Sequence, residues 1–346
     1  MIIALIIIFA LGYFAITLEH TIKISKSATA LITAVLCWTL IISNTSDKEQ
    51  IIGQLSHHLS SISEIVFFLL GAMTIVELID AHDGFQNITE RIKTTNKTKL
   101  VWLISLITFF LSAVLDNLTS TIVMMSILNK LIQDKKTKWL LLGLVIIASN
   151  AGGAFSPIGD VTTTMLWIGG QISPLNIIKQ TFLASLVSMV VPTLIINYII
   201  KGKIELKAHV ENNANFITKA FERNLIFYVG ICCLLFVPIF KTITHLPPYM
   251  GMFLSLGIIW TITELMHNKK HVNEKGILSV SHALRKIDTP SILFFFGILM
   301  SISSLEAVGV LPQMASTLNN SIGNLNVVDI CIGLLSAVFD NVPLVA

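Results

Sequence analysis

Ten apolar segments separated by short polar connections run through this chain of 346 residues, and that succession constrains its fold more than any other feature. They cover about 2–18, 28–43, 61–79, 100–132, 139–168, 177–200, 224–240, 249–265, 289–305 and 325–346. A helix needs about 20 apolar residues to cross the hydrocarbon core of a bilayer. In lipid each backbone N–H and C=O must be satisfied within the spanning element, so apolar runs of this length are read as helices. Charged residues make up only 12% of the chain and hydrophobic ones 54%, where a soluble domain carries roughly 25% charged. A soluble surface cannot be covered with so few charges, and a disordered chain would be rich in charge and poor in apolar residues. The expectation is an all-α polytopic membrane protein.

The first segment, MIIALIIIFALGYFAITLEH, lacks a basic start and a small-residue cleavage site. It reads as a transmembrane helix and not as a signal peptide. Cys37, Cys232, Cys233 and Cys331 lie in apolar runs without metal or redox spacing, and Cys232 and Cys233 face different ways on a helix.

Two segments are irregular. Segment 100–132 is some thirty residues long and carries Asp116-Asn117 at its centre. Segment 139–168 contains NAGGAFSPIGD over 150–160, whose Gly and Pro residues stop a helix. It reads as two half-helices joined by an unwound linker.

The basic residues fix a topology. Loops rich in Lys and Arg belong on the cytoplasmic side, and basic and non-basic loops alternate along the chain except on either side of 100–132, where both are basic. That segment therefore enters the membrane from the cytoplasm, turns at Asp116-Asn117 and leaves by the same side. Each arm has about 15 residues, or ~22 Å at helical rise, which suits a re-entrant hairpin. With this assignment Lys48, Lys179 and Lys241 lie outside, the other 20 of the 23 basic residues lie inside, and the N-terminus is outside.

Residues 111–117, LSAVLDN, return as LSAVFDN at 335–341, with six of seven positions the same, and FFLLGAM at 67–73 resembles FFFGILM at 294–300. The loop charges put the second copy in the opposite orientation. The chain therefore divides into a first repeat over 1–200, with hairpin 100–132 and broken helix 139–168, and a second over 201–346. Inverted-topology repeats, each with a re-entrant hairpin and a discontinuous helix, are common in secondary transporters, whose sites lie near the midplane at the broken helices. The second repeat is truncated: the sequence ends inside its hairpin, five residues after Asn341, and reads as a fragment or a shortened form.

An ionisable residue inside a span costs roughly 2.5–3.5 kcal/mol on insertion scales and points to function. Asp116 is such a residue, and it can also cap the arm that follows it. Asn117, Thr119 and Ser120 add oxygen atoms at the same turn, and oxygen ligands suit hard cations. The second cluster is Ser149-Asn150, Ser156 and Asp160 with Thr162, where irregular backbone at membrane depth implies a cavity or protein burial. Asp160 is again placed to cap a half-helix. Asp340-Asn341 repeats the first pair, with Pro343 where Thr119 stands, so the two hairpin sites are not equivalent.

Other polar residues carry less. Glu77, Glu264 and Glu306 read as interfacial, His82 and Asp83 as solvated at the start of a loop, and His57-His58 as a poor metal site. Walker, Rossmann, nucleophile-elbow and HExxH motifs are absent from the sequence, so neither an ATP-driven pump nor a membrane hydrolase, nor any other enzyme, is indicated. No cofactor and no nucleic-acid partner are expected.

The motifs LSAVLDNLTSTIVM, ASNAGGAFSPIGDVTTTMLW and LSAVFDNVPLVA, in this order, resemble those of NhaD-type sodium/proton antiporters of the ion transporter superfamily. The resemblance covers nearly the whole chain. It implies two inverted repeats, exchange of Na⁺ or Li⁺ for H⁺, and a cation- and proton-binding set of Asp116, Asn117, Thr119, Asn150, Ser156, Asp160, Thr162, Asp340 and Asn341. Among these, Asp116, Asn117 and Asn150 are expected as ligands of the transported Na⁺. The partners implied are the two ions and the lipid bilayer, with a homodimer left open, and the implied location is the bacterial cytoplasmic membrane. The alternatives are an anion carrier of the same superfamily, for dicarboxylate or arsenite, and a truncated product that does not transport. Anion binding asks for Lys or Arg at the hairpin tips, and none lies inside a span.

Overall fold

The computed structural model describes residues 1–89, 92, 94, 96–132, 134–200, 218–268, 276–322 and 325–336, and these form helices and connections without a strand. In chain order the helices are α1 (Ile2–Thr17), α2 (Glu19–Ile22), α3 (Lys26–Ser43), α4 (Lys48–Ala81), α5 (Gln86–Thr89), α6 (Lys97–Leu115), α7 (Asn117–Leu131), α8 (Lys135–Ala154) and α9 (Val161–Ile168). They continue with α10 (Pro174–Ile199), α11 (Ala220–Thr244), α12 (Pro248–His267), α13 (Val280–Lys286), α14 (Thr289–Ala307), α15 (Val310–Ile322) and α16 (Leu325–Ser336). Among the described residues, eight helices are long and apolar enough to cross a membrane: α3, α4, α6, α8, α10, α11, α12 and α14, with α1 a shorter apolar helix. The chain is an all-α polytopic membrane protein.

Helix ends follow local chemistry. Asn96 accepts hydrogen bonds from Thr98 N and Lys99 N at the start of α6, and Asp134 does the same for Lys136 N and Thr137 N at the start of α8. Ser173 caps α10 ahead of Pro174, which needs no N–H partner in the first turn. Two connections differ from expectation. Segment 61–79 lies inside a helix of 34 residues, because Lys48–Ser60 carries no Pro and continues the helix backward. The stretch 306–324, expected as a connection, contains α15.

The chain forms two compact units, and α4 contributes to both. The first comprises residues 1–67 and 288–346. There α3 lies against α14, tied by Ser27 Oγ donating to Pro290 O at 2.6 Å and Trp38 Nε1 donating to Met300 O at 2.9 Å. Such bonds and small residues take the place of a hydrophobic drive between helices in lipid. His58 Nδ1 lies 3.9 Å from Glu306 Oε2.

The second unit, residues 68–287, has the larger apolar core, with Phe68, Ile79, Leu100, Ile104, Leu144, Trp167, Ile226 and Ile259 all buried. Hydroxyls join its helices: Ser112 Oγ to Ser149 O at 2.6 Å, Thr121 Oγ1 with Ser149 Oγ at 2.6 Å, and Thr193 Oγ1 to Ser105 Oγ at 3.0 Å. Glu77 forms an ion pair with Lys286 at 3.2 Å. His82 is a correction to the sequence reading. It is not solvated but fully buried, its ring stacked on that of His267 with centroids 5.1 Å apart. Burial is possible because its Nδ1 pairs with Leu78 O at 2.7 Å. Cys233 is buried and its neighbour Cys232 exposed, as their places on one helix require.

Candidate functional site

The turn between α6 and α7 is a single residue. Asp116 ends one helix and begins the next, with φ 104° and ψ 159°. That backbone region is essentially reserved for glycine and costs a side-chain-bearing residue of order 1–3 kcal/mol. The carboxylate is fully engaged in capping: Oδ1 accepts from Thr119 N at 2.8 Å and Oδ2 from Thr119 Oγ1 at 2.7 Å. Thr119, expected as an oxygen donor to an ion, holds Asp116 in place with both its N–H and its hydroxyl.

The break in the second irregular segment lies between Ala154 and Val161. Asp160 caps α9, its Oδ1 accepting from Thr162 N at 2.8 Å and from Thr162 Oγ1 at 2.5 Å. Ser156 Oγ accepts from Ile158 N at 3.4 Å within the unwound linker. Glycines allow this backbone to lie directly on the hairpin. A Cβ at Gly152 would collide with the Phe109 carbonyl, and one at Gly159 would stand 2.6 Å from the Ser112 carbonyl oxygen.

These contacts bring the hairpin tip against both ends of the break. The point of convergence is Asn117: its Nδ2 donates to Asn150 Oδ1 at 3.0 Å and to Asp160 Oδ2 at 2.6 Å. One oxygen comes from the last turn of α8, the other from the cap of α9, and both face the same electropositive N–H₂ group. Asp160, Ser156 and Thr162 are buried, Asp116, Asn117 and Thr119 are half-buried, and Asn150 is exposed. Polarity thus runs from the surface inward along Asn150, Asn117 and Asp160. Ser120 is fully buried one turn behind, with no hydrogen-bond partner for its hydroxyl.

The residues 111–121 and 146–168 contain two carboxylates and no Lys or Arg. Asp116, Asn117, Thr119, Asn150, Asp160 and Thr162 are gathered within two linked caps and one bridging amide; Ser156 stands in the linker beside them. Asp340 and Asn341 lie outside the described residues. Charge inside apolar segments pointed to both carboxylates, but which side chain joins the two motifs depends on how the hairpin is seated, and no local signal marks Asn117 over Asn150 for that role.

A family model described as Citrate transporter (CitMHS) matches residues 3–346. Sodium/proton antiporter 1 of Arabidopsis thaliana is 46% identical over 345 residues, which are 99% of this chain and 59% of that protein. Sodium/proton antiporter 2 of the same plant is 46% identical over 98% of this chain and 80% of its own length. The Na(+)/H(+) antiporter NhaD of Vibrio cholerae is 28% identical over 98% of this chain and 76% of its own. The chain thus spans 59% of the length of the first of these relatives and more of the other two. All are transporters and none is named as an enzyme. With a family match over nearly every residue and a relative 46% identical along 80% of its length, the chain belongs to the citrate-transporter family and is an NhaD-type transporter.

Proposed function

We propose that the protein exchanges Na⁺ or Li⁺ for H⁺ across the membrane at the site formed by Asp116, Asn117, Thr119, Asn150, Ser156, Asp160 and Thr162. The observation that carries this reading is the convergence of Asn150 Oδ1 and Asp160 Oδ2 on the single Asn117 N–H₂ group. Two oxygens facing one positive donor mark a position that a desolvated hard cation can take. Turning the Asn117 amide about its last bond would replace the donor by Oδ1 and complete a set of oxygens around the ion. Asp160 supplies the charge that offsets loss of the hydration shell.

A carboxylate bound by Na⁺ and H⁺ in turn yields antiport without further parts. With the cation present the carboxylate is ionised; once the cation leaves, a proton can neutralise it. The empty carrier then never exposes an uncompensated carboxylate to lipid, where a bare charge is costly. Asp116 contributes negative potential at the tip while its two oxygens hold Thr119. Asp340 and Asn341 are assigned the matching role in the inverted second hairpin. The N-terminus is placed outside and the membrane is taken as the bacterial cytoplasmic membrane, on the alternation of basic loops and the family resemblance.

The family model's description favours a second reading, transport of citrate. The site chemistry weighs against it: a multiply charged anion would meet two carboxylates and no basic residue within 111–121 and 146–168. The two readings separate in proteoliposomes. If Na⁺ and H⁺ compete for one carboxylate, the apparent KM for Na⁺ rises as pH falls while Vmax stays level, and citrate neither moves nor inhibits. A pH-independent KM together with uptake of labelled citrate would replace antiport by anion carriage.

A further inference from the structure

Lys241 is the sole Lys or Arg between Arg223 and Lys269. It stands in the last turn of α11. In the structure its Nζ donates to Trp167 O at 3.0 Å and lies 4.9 Å from the centroid of the Trp167 ring. A lysine whose purpose was solubility would extend its ammonium to water. This one is folded back onto the end of α9, where it meets a backbone carbonyl and an aromatic face together.

The element it touches is the second half of the broken helix. α9 has only 8 residues, or ~12 Å of rise. A helix so short is not stable by itself, and the linker from Phe155 to Asp160 gives it no helical continuity with α8. Its direction is therefore set by what holds its two ends. At the N-terminal end Asp160 meets Asn117. At the C-terminal end Trp167 is fully buried, edge-to-face with Phe68 at 6.2 Å, and Lys241 binds its carbonyl. The last carbonyls of a helix carry partial negative charge, and a cation there is favourable, more so when water is scarce. The ring adds a cation–π attraction on the same ammonium.

We infer that Lys241 is a positioning residue for ion exchange: by pinning the C-terminal end of α9 it fixes where the N-terminal end presents Asp160 and Thr162 to Asn117. The inference rests on the reading of that cluster as the ion site. A rigid rod of two turns transmits a tilt at Trp167 directly to Asp160, and a carboxylate moved away from Asn117 and Asn150 binds a cation less well. The charge and the hydrogen bond both contribute, so the variants should grade accordingly.

The test is Na⁺/H⁺ exchange by the full chain in proteoliposomes for the wild type and for Lys241→Met, Lys241→Gln and Lys241→Arg. Loss of a charged hydrogen bond predicts an apparent KM for Na⁺ raised about tenfold in K241M. K241Q keeps a donor without charge and falls between, and K241R keeps a cation and stays within about twofold of wild type. A residue that only supports folding would lower the amount of active protein and leave KM where it was. Unchanged KM in K241M, with wild-type exchange present, overturns the inference alone; a wild type that exchanges no ions overturns the reading of the site and the inference with it. If K241M does not fold, K241Q against K241R decides, and equal KM values in those two overturn the proposal.

Discussion

At the scale of the residue, Asp116 carries the most information. An aspartate in a glycine-only backbone region is retained only where its side chain is needed, since glycine would remove strain of order 1–3 kcal/mol. Its cap on Thr119 is one use, but asparagine caps as well. Asp116→Asn is therefore expected to fold with a Tm near wild type and to lose Na⁺-driven exchange at least about a hundredfold, consistent with loss of a charge that a cation must meet in a dry site. Thermal unfolding in detergent and transport on the same preparation check the two halves of that statement. An active Asp116→Asn would reduce the residue to a cap. Asn117→Ala is expected to be more disruptive than Asn150→Ala, because one amide bridges two helices and the other receives a single bond. Their apparent KM values for Na⁺ should rank in that order. The two carboxylates were legible in the sequence because charge in an apolar span is conspicuous. The joint made by Asn117 was not, because hydrogen bonds 33 and 43 residues apart in sequence are set by packing.

At the scale of the element, both irregular segments could be read in advance. Asp116-Asn117 stands in the middle of a run too long for one hairpin arm, and the chain breaks there at Asp116. In the second segment the helix carries on through Gly152 and Gly153 to Ala154 and is interrupted over 155–160, where Pro157 and Gly159 lie. The backward extension of α4 was hidden, since Lys48–Ser60 is too polar to count as a span and yet has nothing to break a helix. His82 misled for a similar reason: a polar residue at a helix end looks solvated until another helix end supplies a stacking partner, here His267. Two predictions belong here. At Gly152 an added methyl meets backbone and not a flexible side chain, so α6 and α8 would have to part. Overpacking of that kind costs about 1–3 kcal/mol, and Gly152→Ala should lower the Tm and the exchange rate together; an unchanged Tm would mean that the helices are looser than described. At the start of α8, hydrogen bonds from the Thr137 hydroxyl and N–H hold the Asp134 carboxyl below its ordinary range. A carboxyl lowered on folding stabilises the fold above its unfolded pKa, and that stabilisation is lost as pH falls through the folded value. Amide exchange in the first turn of α8 should accordingly speed up, relative to the unfolded chain, on acidification, and Asp134→Asn should remove that dependence.

At the scale of the whole molecule, the described residues form apolar helices in two compact units, and the polar cluster of Asp116, Asn117, Asn150 and Asp160 lies within the second. The division into two compact units was not legible in the sequence, because α4 runs through the boundary at residues 67–68 without interruption. LSAVLDN returns as LSAVFDN, and Asp340 and Asn341 of the second copy lie outside the described residues. The central claim is that one cluster binds a cation and a proton by turns. Its most direct test is a Na⁺ step applied to proteoliposomes that hold a preset pH gradient and contain purified full-length chain. Na⁺ is expected to discharge the gradient in the wild type, Li⁺ to substitute for it, and Asp160→Asn to abolish the response while remaining folded. A gradient that stands unchanged after the Na⁺ step in the wild type, or that collapses equally in Asp160→Asn, would contradict it.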